Sequence, residues 1–559
     1  MNLSIRTLEY VDGNGLLTDS VLEFDFVVVG AGSAGCVLAG NLSASGRYSV
    51  LLLEAGPDRN DFWIRTPLCY GHSIVNQQVN WMYASEPEAG LCGRRIPVPR
   101  GKVVGGSSAI NAMVYMRGTR SDYEEWESEG NPDWSWDKVL ASYKVMENHC
   151  VRDEWHGTDG PLQVNSRASA AHPICDAFLE AGQQLQFPRN DDFNGERVDG
   201  VGYYHHTICT SAKRMSAARG WLQPARGRSG FRLEVNAQVV RLEMNDHRVS
   251  GVSYRKNGRL CTATARREIV LASGAIATPQ LLMVSGIGAG GSLRQLGIDV
   301  HHELPSVGQH MQDHFAYDMH FRSRVPTMNQ QLGTWYGKVR AGLQYYLLGS
   351  GPLSSGTTHA GGFVKSAPSR ARANLQLYFS PLTRDAEPGS PGRMAQVDSY
   401  AAFSISVCNT RPRSRGQVSL RSDDVNDAPL IQFNFLDDHD DLVEMIEGAR
   451  VLRALADTPA MQRIIEREYL PGPDTVSDTQ LEHDIRARGY SIYHPCGTCR
   501  MGPERKNAVV SSRLKVHGLE GLRIADASVL PFVVTGNLNA PSMMIGQRAS
   551  EIILEDSTV

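Results

Sequence analysis

The chain is 559 residues long, with 56 Lys and Arg against 60 Asp and Glu, a net charge of −4, and 41% apolar residues. That length allows two large domains or several smaller ones, each with a real core, and the composition excludes disordered and collagen-like chains. With no run of five like charges, the chain has no broad attractive field for phosphate backbones or anionic lipid, so nucleic acid is not an expected partner.

The N-terminal stretch has no continuous apolar run ahead of a small-residue cleavage site. The most apolar early segment, 26–40, falls short of the ~20 residues that a spanning helix needs. A cytoplasmic protein without a transmembrane segment is the expectation. Residues 1–21 read as an N-terminal extension. Phe24 to Val29 is a β-branched run of the kind that fills a strand buried on both faces. Gly30 ends it, Ser33 to Ser43 reads as a small-residue helix, and Tyr48 to Leu53 is a second buried strand.

This βαβ unit carries Gly30-Ala31-Gly32-Ser33-Ala34-Gly35 at its turn. Gly30 permits the bend, Gly32 admits a pyrophosphate against the backbone, and Gly35 lets helix and strand pack closely. The helix N-terminus then faces phosphate with free N–H groups and a partial positive charge. Glu54 ends the second strand about 20 residues beyond the glycines, where a carboxylate accepts the hydroxyls of an adenosine ribose. A dinucleotide is implied, with NAD and FAD both open at this point.

Gly101 to Asn111 packs glycines and serines into a loop whose N–H groups can lie against a flat polar ring. Trp134/Trp136 and Trp335/Tyr336 read as core or loop packing rather than cofactor stacking. In Gly274 to Gly288, Thr278 reads as a helix cap, Pro279 as the first helical residue and Gly286 as the stop. Alternating pieces such as 375–379 and 417–420 predict an antiparallel sheet with helices between roughly His320 and Gln480. A last strand, Leu522 to Ala525, ends at Asp526, and a helix follows from about Ala540 to Leu554. No repeat or linker separates these pieces, so the domains are expected to be woven from non-consecutive segments.

The stretches 101–111 and 274–288 resemble both signature patterns of the glucose–methanol–choline (GMC) flavoprotein oxidoreductases. Tyr493-His494-Pro495-Cys496-Gly497-Thr498-Cys499-Arg500-Met501-Gly502 resembles the segment that holds that family's active-site His, and Gly536-Asn537-Leu538-Asn539-Ala540-Pro541 the one that holds its second catalytic residue. The resemblance implies an α/β (α+β overall) architecture. A Rossmann-like FAD-binding domain (22–158, 198–318 and 488–559) is interwoven with a substrate-binding domain on an antiparallel sheet (159–197 and 319–487). It implies FAD bound extended along Gly30, Gly32, Ser33, Ala34, Gly35, Glu54 and Ala55. Trp81 and Val239 would lie at the adenine, Gly105, Gly106, Asn111 and Val114 at the flavin, and Asp526 with Ala527 beside the pyrophosphate. Some members attach flavin through a His in the glycine loop; here Ile110 stands at that position, so non-covalent FAD is expected.

Alcohol oxidation by flavin needs a base for the hydroxyl proton, and imidazole suits that task near neutral pH. The resemblance gives this role to His494, with Asn539 orienting the substrate oxygen and Tyr493 lining the pocket. Cys496 and Cys499 form a lone C-x-x-C, but with His494 they supply three ligands where a closed zinc site needs four, so no metal is expected. The ten cysteines are too sparse for the framework of a small secreted domain and read as mostly reduced thiols. The reading is oxidation of a small-molecule alcohol to an aldehyde or ketone, with O₂ or a quinone-like acceptor. An FAD-containing hydroxynitrile lyase and a non-catalytic flavoprotein are the alternatives. The alcohol, the acceptor and the oligomeric state are left open.

Overall fold

Phe24, Val27 and Val28 have no solvent exposure, and the strand they belong to, Leu17–Val29, lies inside a sheet rather than at its edge. The computed structural model describes residues 6–11, 17–384 and 396–557, without side-chain detail for 6–11 and 17–20. Five strands run in the order Phe231–Glu234, Val50–Leu53, Leu17–Val29, Arg259–Leu271 and Leu522–Ile524, each parallel to its neighbour. The strand Arg259–Leu271 is shared along its length. Its first half pairs antiparallel with Arg248–Lys256, which pairs with Ala237–Asn245, and its last three residues take Leu522–Ile524. Of the expected extension, Arg6–Val11 pairs antiparallel with Leu17–Val29, while 1–5 and 12–16 lie outside the described residues.

The helix Ser33–Leu42 crosses the sheet, and Asn539–Asp556 packs across it, with Asn41 donating to Gln547 at 2.7 Å. The approach is close because Gly546 carries no side chain: a Cβ there would sit 2.4 Å from the Ala34 carbonyl oxygen. Arg523, 1% exposed, pins the last strand through Glu268 on its neighbour and Asp556 on the last helix, each at 2.6 Å.

The second sheet is antiparallel throughout, in the order Ile465–Leu470, Phe315–Ser323, Ala402–Asn409, Leu375–Ser380, Ala360–Val364 and Gly200–Tyr203, with Tyr490–Ser491 also on Phe315–Ser323. The helix His439–Ala456 covers one face, where Gly448 lies against Val407. Gly200–Tyr203, Tyr490–Ser491 and the start of Phe315–Ser323, which fall in segments assigned from sequence to the FAD-binding domain, are strands of this sheet. Residues Gln417–Ser419 pair only with Leu430–Gln432, outside it.

The helix expected to start at Pro279 starts at Gly274, so Pro279 lies inside it and Thr278 is not its cap. Proline has no N–H for the Ala275 carbonyl one turn back. The Thr498 hydroxyl donates to that carbonyl at 2.7 Å, which makes the proline tolerable. Gly286, at φ +76, does follow the helix end. Trp134 and Trp136 are core residues, whereas Trp335 and Tyr336 stand 78% and 62% exposed on the helix Trp335–Leu348.

A polar cluster is sealed off beside the second sheet. Arg117 grips Glu147 with two nitrogens, Tyr115 donates to the same carboxylate, and His156 Nε2 meets Asp192 Oδ2 at 2.6 Å. Burial opposes the charges, but Arg117 holds Glu147 down to about 2, and Asp192 and Glu147 raise the pKa of His156. His149 stacks on His156 at 3.6 Å and is pushed to about 3 by burial and the neighbouring imidazoles.

Candidate active site

A groove runs along the carboxyl ends of the parallel strands. It is lined by Gly30, Gly32, Ser33, Ala34, Glu54, Ala55, Trp81, Gly106, Val239, Asp526 and Ala527. Its floor is the N-terminus of the helix Ser33–Leu42, whose cap, Gly32, offers no side-chain acceptor and whose first turn has no acid. Those N–H groups are available to an anion. Gly30, at φ +102, makes the turn, and a Cβ on Gly35 would fall 1.9 Å from the Gly30 oxygen. A Cβ on Gly32 would instead meet only the Ala272 oxygen, at 3.8 Å, and one on Gly274 nothing within 4 Å. At one end Glu54 accepts from the N–H groups of Ala31 and Gly56 at 2.9 and 2.8 Å, and burial raises its carboxyl to about 7. Asp526 accepts from Gly274 N–H, Thr278 Oγ1 and Ser528 N–H, so it fixes the backbone that lines the groove. Trp81 stacks on Tyr83 at 5.7 Å with Lys102 over its ring.

His494 follows Tyr493, a bulky residue at φ +70, where side chains other than glycine's are strained. The bend is held by Asp313, which accepts from His494 N–H at 2.7 Å, and by Arg100, which donates to the Tyr493 carbonyl at 2.6 Å. Asp313 is buried, which raises its carboxyl to about 7.

The imidazole belongs to a chain of hydrogen bonds whose direction is fixed at both ends by backbone carbonyls. At one end His314 Nε2–H donates to the Thr410 carbonyl at 2.9 Å. Its Nδ1 is therefore an acceptor, and His494 Nδ1–H donates to it at 3.0 Å. At the other end the Tyr204 hydroxyl donates to the Leu377 carbonyl at 2.7 Å and accepts from Gln376 Nε2 at 3.3 Å. Gln376 Nε2 also donates to Asn537 Oδ1 at 3.2 Å, which turns Asn537 Nδ2 toward His494 Nε2 at 3.3 Å. Both constraints leave the lone pair of His494 on Nε2. Burial, then His314 and Arg100, drive its pKa well below the usual imidazole value, so it is neutral at neutral pH.

Asn539 does not face His494. It is the first residue of the last helix, and its Oδ1 accepts from Ser33 Oγ at 3.1 Å beside the groove. Two residues earlier, after Gly536 at φ +94, Asn537 occupies the position expected of Asn539. Asn111 accepts from Arg214 at 2.7 Å, and Val114 packs with Met116, Phe193, Tyr204 and Phe363; neither lines the groove. Gly105, at φ +100, donates its N–H to the Ala31 carbonyl, so the glycine loop closes over the helix N-terminus. Ile110 sits in an apolar cluster with Ile64, Val79 and Val103. Cys496 and Cys499 are buried free thiols, both pushed up by burial. Asp313, His314 and Gln376 carry no signal in one sequence, because each acts through residues far along the chain.

The GMC oxidoreductase family matches this chain over residues 24–316 with its N-terminal part and 412–546 with its C-terminal part. The chain belongs to the GMC oxidoreductases. An alcohol dehydrogenase (acceptor) of Pseudomonas putida is 39% identical over 541 residues, 95% of this chain and 96% of that one. An oxygen-dependent choline dehydrogenase of Chromohalobacter salexigens is 37% identical over 535 residues, 95% of each. The crystal structure of pyridoxine 4-oxidase from Mesorbium loti superposes with a TM-score of 0.85 at 28% identity, covering 95% of this chain and 99% of that one. This GMC oxidoreductase stands on the branch of alcohol and choline dehydrogenases, and the family's cofactor is FAD. The uncapped helix, the open faces of Gly32 and Gly274, and Glu54 at the far end fit that group.

Proposed function

We propose that this GMC oxidoreductase oxidises an alcohol to an aldehyde or ketone, with FAD held non-covalently in the groove and His494 Nε2 as the base for the hydroxyl proton. FAD, when bound, supplies the acceptor for the carbinol hydride at its N5 atom. The N–H groups at the start of the helix Ser33–Leu42 hold the pyrophosphate, Glu54 takes the ribose, and Ile110 offers no nucleophile for a covalent link. Asn537 Nδ2 donates to the substrate oxygen and turns the C–H toward the cofactor. His314 fixes the tautomer of the base and shares its charge once the proton arrives.

The observation that carries this reading is the directed chain from Thr410 to Leu377, which leaves a lone pair on the one imidazole nitrogen that meets Asn537. The alcohol and choline dehydrogenase relatives support a CH–OH donor. The acceptor that reoxidises the cofactor is O₂ or a quinone-like compound. In the test, the holoenzyme is mixed anaerobically with a panel of alcohols, and the flavin band is followed before and after air is admitted. Bleaching by at least one alcohol is expected, with FAD released by acid. A trace that never bleaches, while a cyanohydrin is consumed, overturns oxidation in favour of a lyase.

A further inference from the structure

The helix Trp335–Leu348 turns an apolar arc outward. At 100° per residue, Trp335, Tyr346, Val339, Leu343, Tyr336 and Leu347 fall in succession over roughly 120°. Each is more than half exposed, Tyr346 at 86%. The opposite face packs inward through Gly337 and Ala341, the latter beside Met328, Leu332 and Leu382. Phe62 and Trp63, also exposed, extend the patch from the short helix Phe62–Arg65, with the Phe62 ring 6.4 Å from that of Tyr345. Contiguous apolar surface of this kind marks an interaction face.

Charge selects the occupant. Lys338 and Arg340 border the arc on its two sides, both exposed, and the helix contains no Asp or Glu, in a chain whose net charge is −4. A second copy seated here by a two-fold axis would set this basic border against itself. An amphipathic helix with Trp, Tyr and Leu on one side and basic residues at the border has the form that lies in the headgroup region of an anionic bilayer. Among the described residues no helix is long and apolar enough to cross a membrane, so such contact is peripheral.

We propose that the face formed by Trp335–Leu348 with Phe62 and Trp63 docks this protein on an anionic lipid surface, the helix lying in the membrane plane. The holoenzyme is sedimented with phosphatidylcholine vesicles with and without phosphatidylglycerol, at low and high salt. Binding to the anionic vesicles is expected, weakened by salt. Lys338→Glu with Arg340→Glu should lower that partition by at least roughly fivefold per residue. Trp335→Ser with Leu343→Ser and Tyr346→Ser should lower it on both vesicle types. Both variants should keep the wild-type flavin spectrum and rate of anaerobic reduction, which shows that they fold. Three results overturn the proposal: wild-type protein that ignores anionic vesicles, binding that survives the triple substitution, or a wild-type dimer in analytical ultracentrifugation that the triple substitution splits, which assigns the face to a second copy.

Discussion

Two buried histidines in this molecule, His494 and His156, stand under opposite electrostatic rule. His494 and His314 share a hydrogen bond at 3.0 Å, and among the described residues no carboxylate touches either ring; burial drives both downward. His156, stacked on His149, touches Asp192 and Glu147, and its pKa rises despite burial. Burial alone therefore says little about a histidine's charge. Direct hydrogen bonds to carboxylates raise His156, and the ring of His494 is kept apart from any such partner. Asp313 respects that separation: it holds the backbone of His494 and leaves the ring alone.

The sharpest way to break this contrast is to exchange the roles. His494→Gln should slow anaerobic flavin reduction roughly 10²–10⁴-fold while FAD stays bound, as loss of a positioned base does. His156→Gln should leave reduction at the wild-type rate and lower the urea midpoint. The reverse pattern would make His494 the structural residue. Next in size, Glu147→Gln leaves Arg117 buried without its charge partner and should cost about 3–5 kcal/mol of stability in urea unfolding. A loss within the scatter of surface substitutions would show that the cluster is not sealed.

Asn537→Ala and Asn539→Ala divide the two asparagines. The first should slow flavin reduction about tenfold or more, losing a hydrogen bond to a charged or developing oxyanion partner. The second should act on FAD retention through Ser33. Equal effects on the rate would undo the distinction between Asn537 and Asn539.

The smallest effect is in pH dependence. His494 is active when neutral and its pKa is depressed, so activity is lost as pH falls and the acid limb of kcat/KM should lie below the ordinary ~6.5 of imidazole. His156 runs the other way: with its pKa raised in the folded state, its stabilisation is complete below ~6.5 and fades as pH rises through the folded value. Urea midpoints across that range should flatten in His156→Gln.

The dinucleotide half was legible because its chemistry is backbone chemistry. Glycines at a strand–helix turn and an acid at the next strand end are local signals, and Gly30, Gly32, Gly35 and Glu54 stand where the pattern put them. The half proposed for catalysis is side-chain chemistry assembled at long range. The resemblance put the second residue at Asn539, whereas Asn539 opens the last helix beside Ser33 and Asn537 meets His494. The start of the helix at Gly274 was hidden for a similar reason, since Pro279 is accommodated only because Thr498, more than two hundred positions later, supplies the missing donor. The edge strand Gly200–Tyr203 is two glycines, a valine and a tyrosine, too short to show a period.

The strand Leu522–Ile524 has a consequence for the order of synthesis. The pairs it makes with Ile269–Leu271, and the contact of Arg523 with Glu268, 255 positions earlier, join segments made far apart in time. His494, Asn537 and the helix that crosses Ser33–Leu42 emerge in that same late stretch. A nascent chain can thus form the first βαβ unit before His494, the proposed base, has been made. The proposed oxidation therefore waits on the docking of Leu522–Ile524 and the helix Asn539–Asp556, beside which its assigned residues lie.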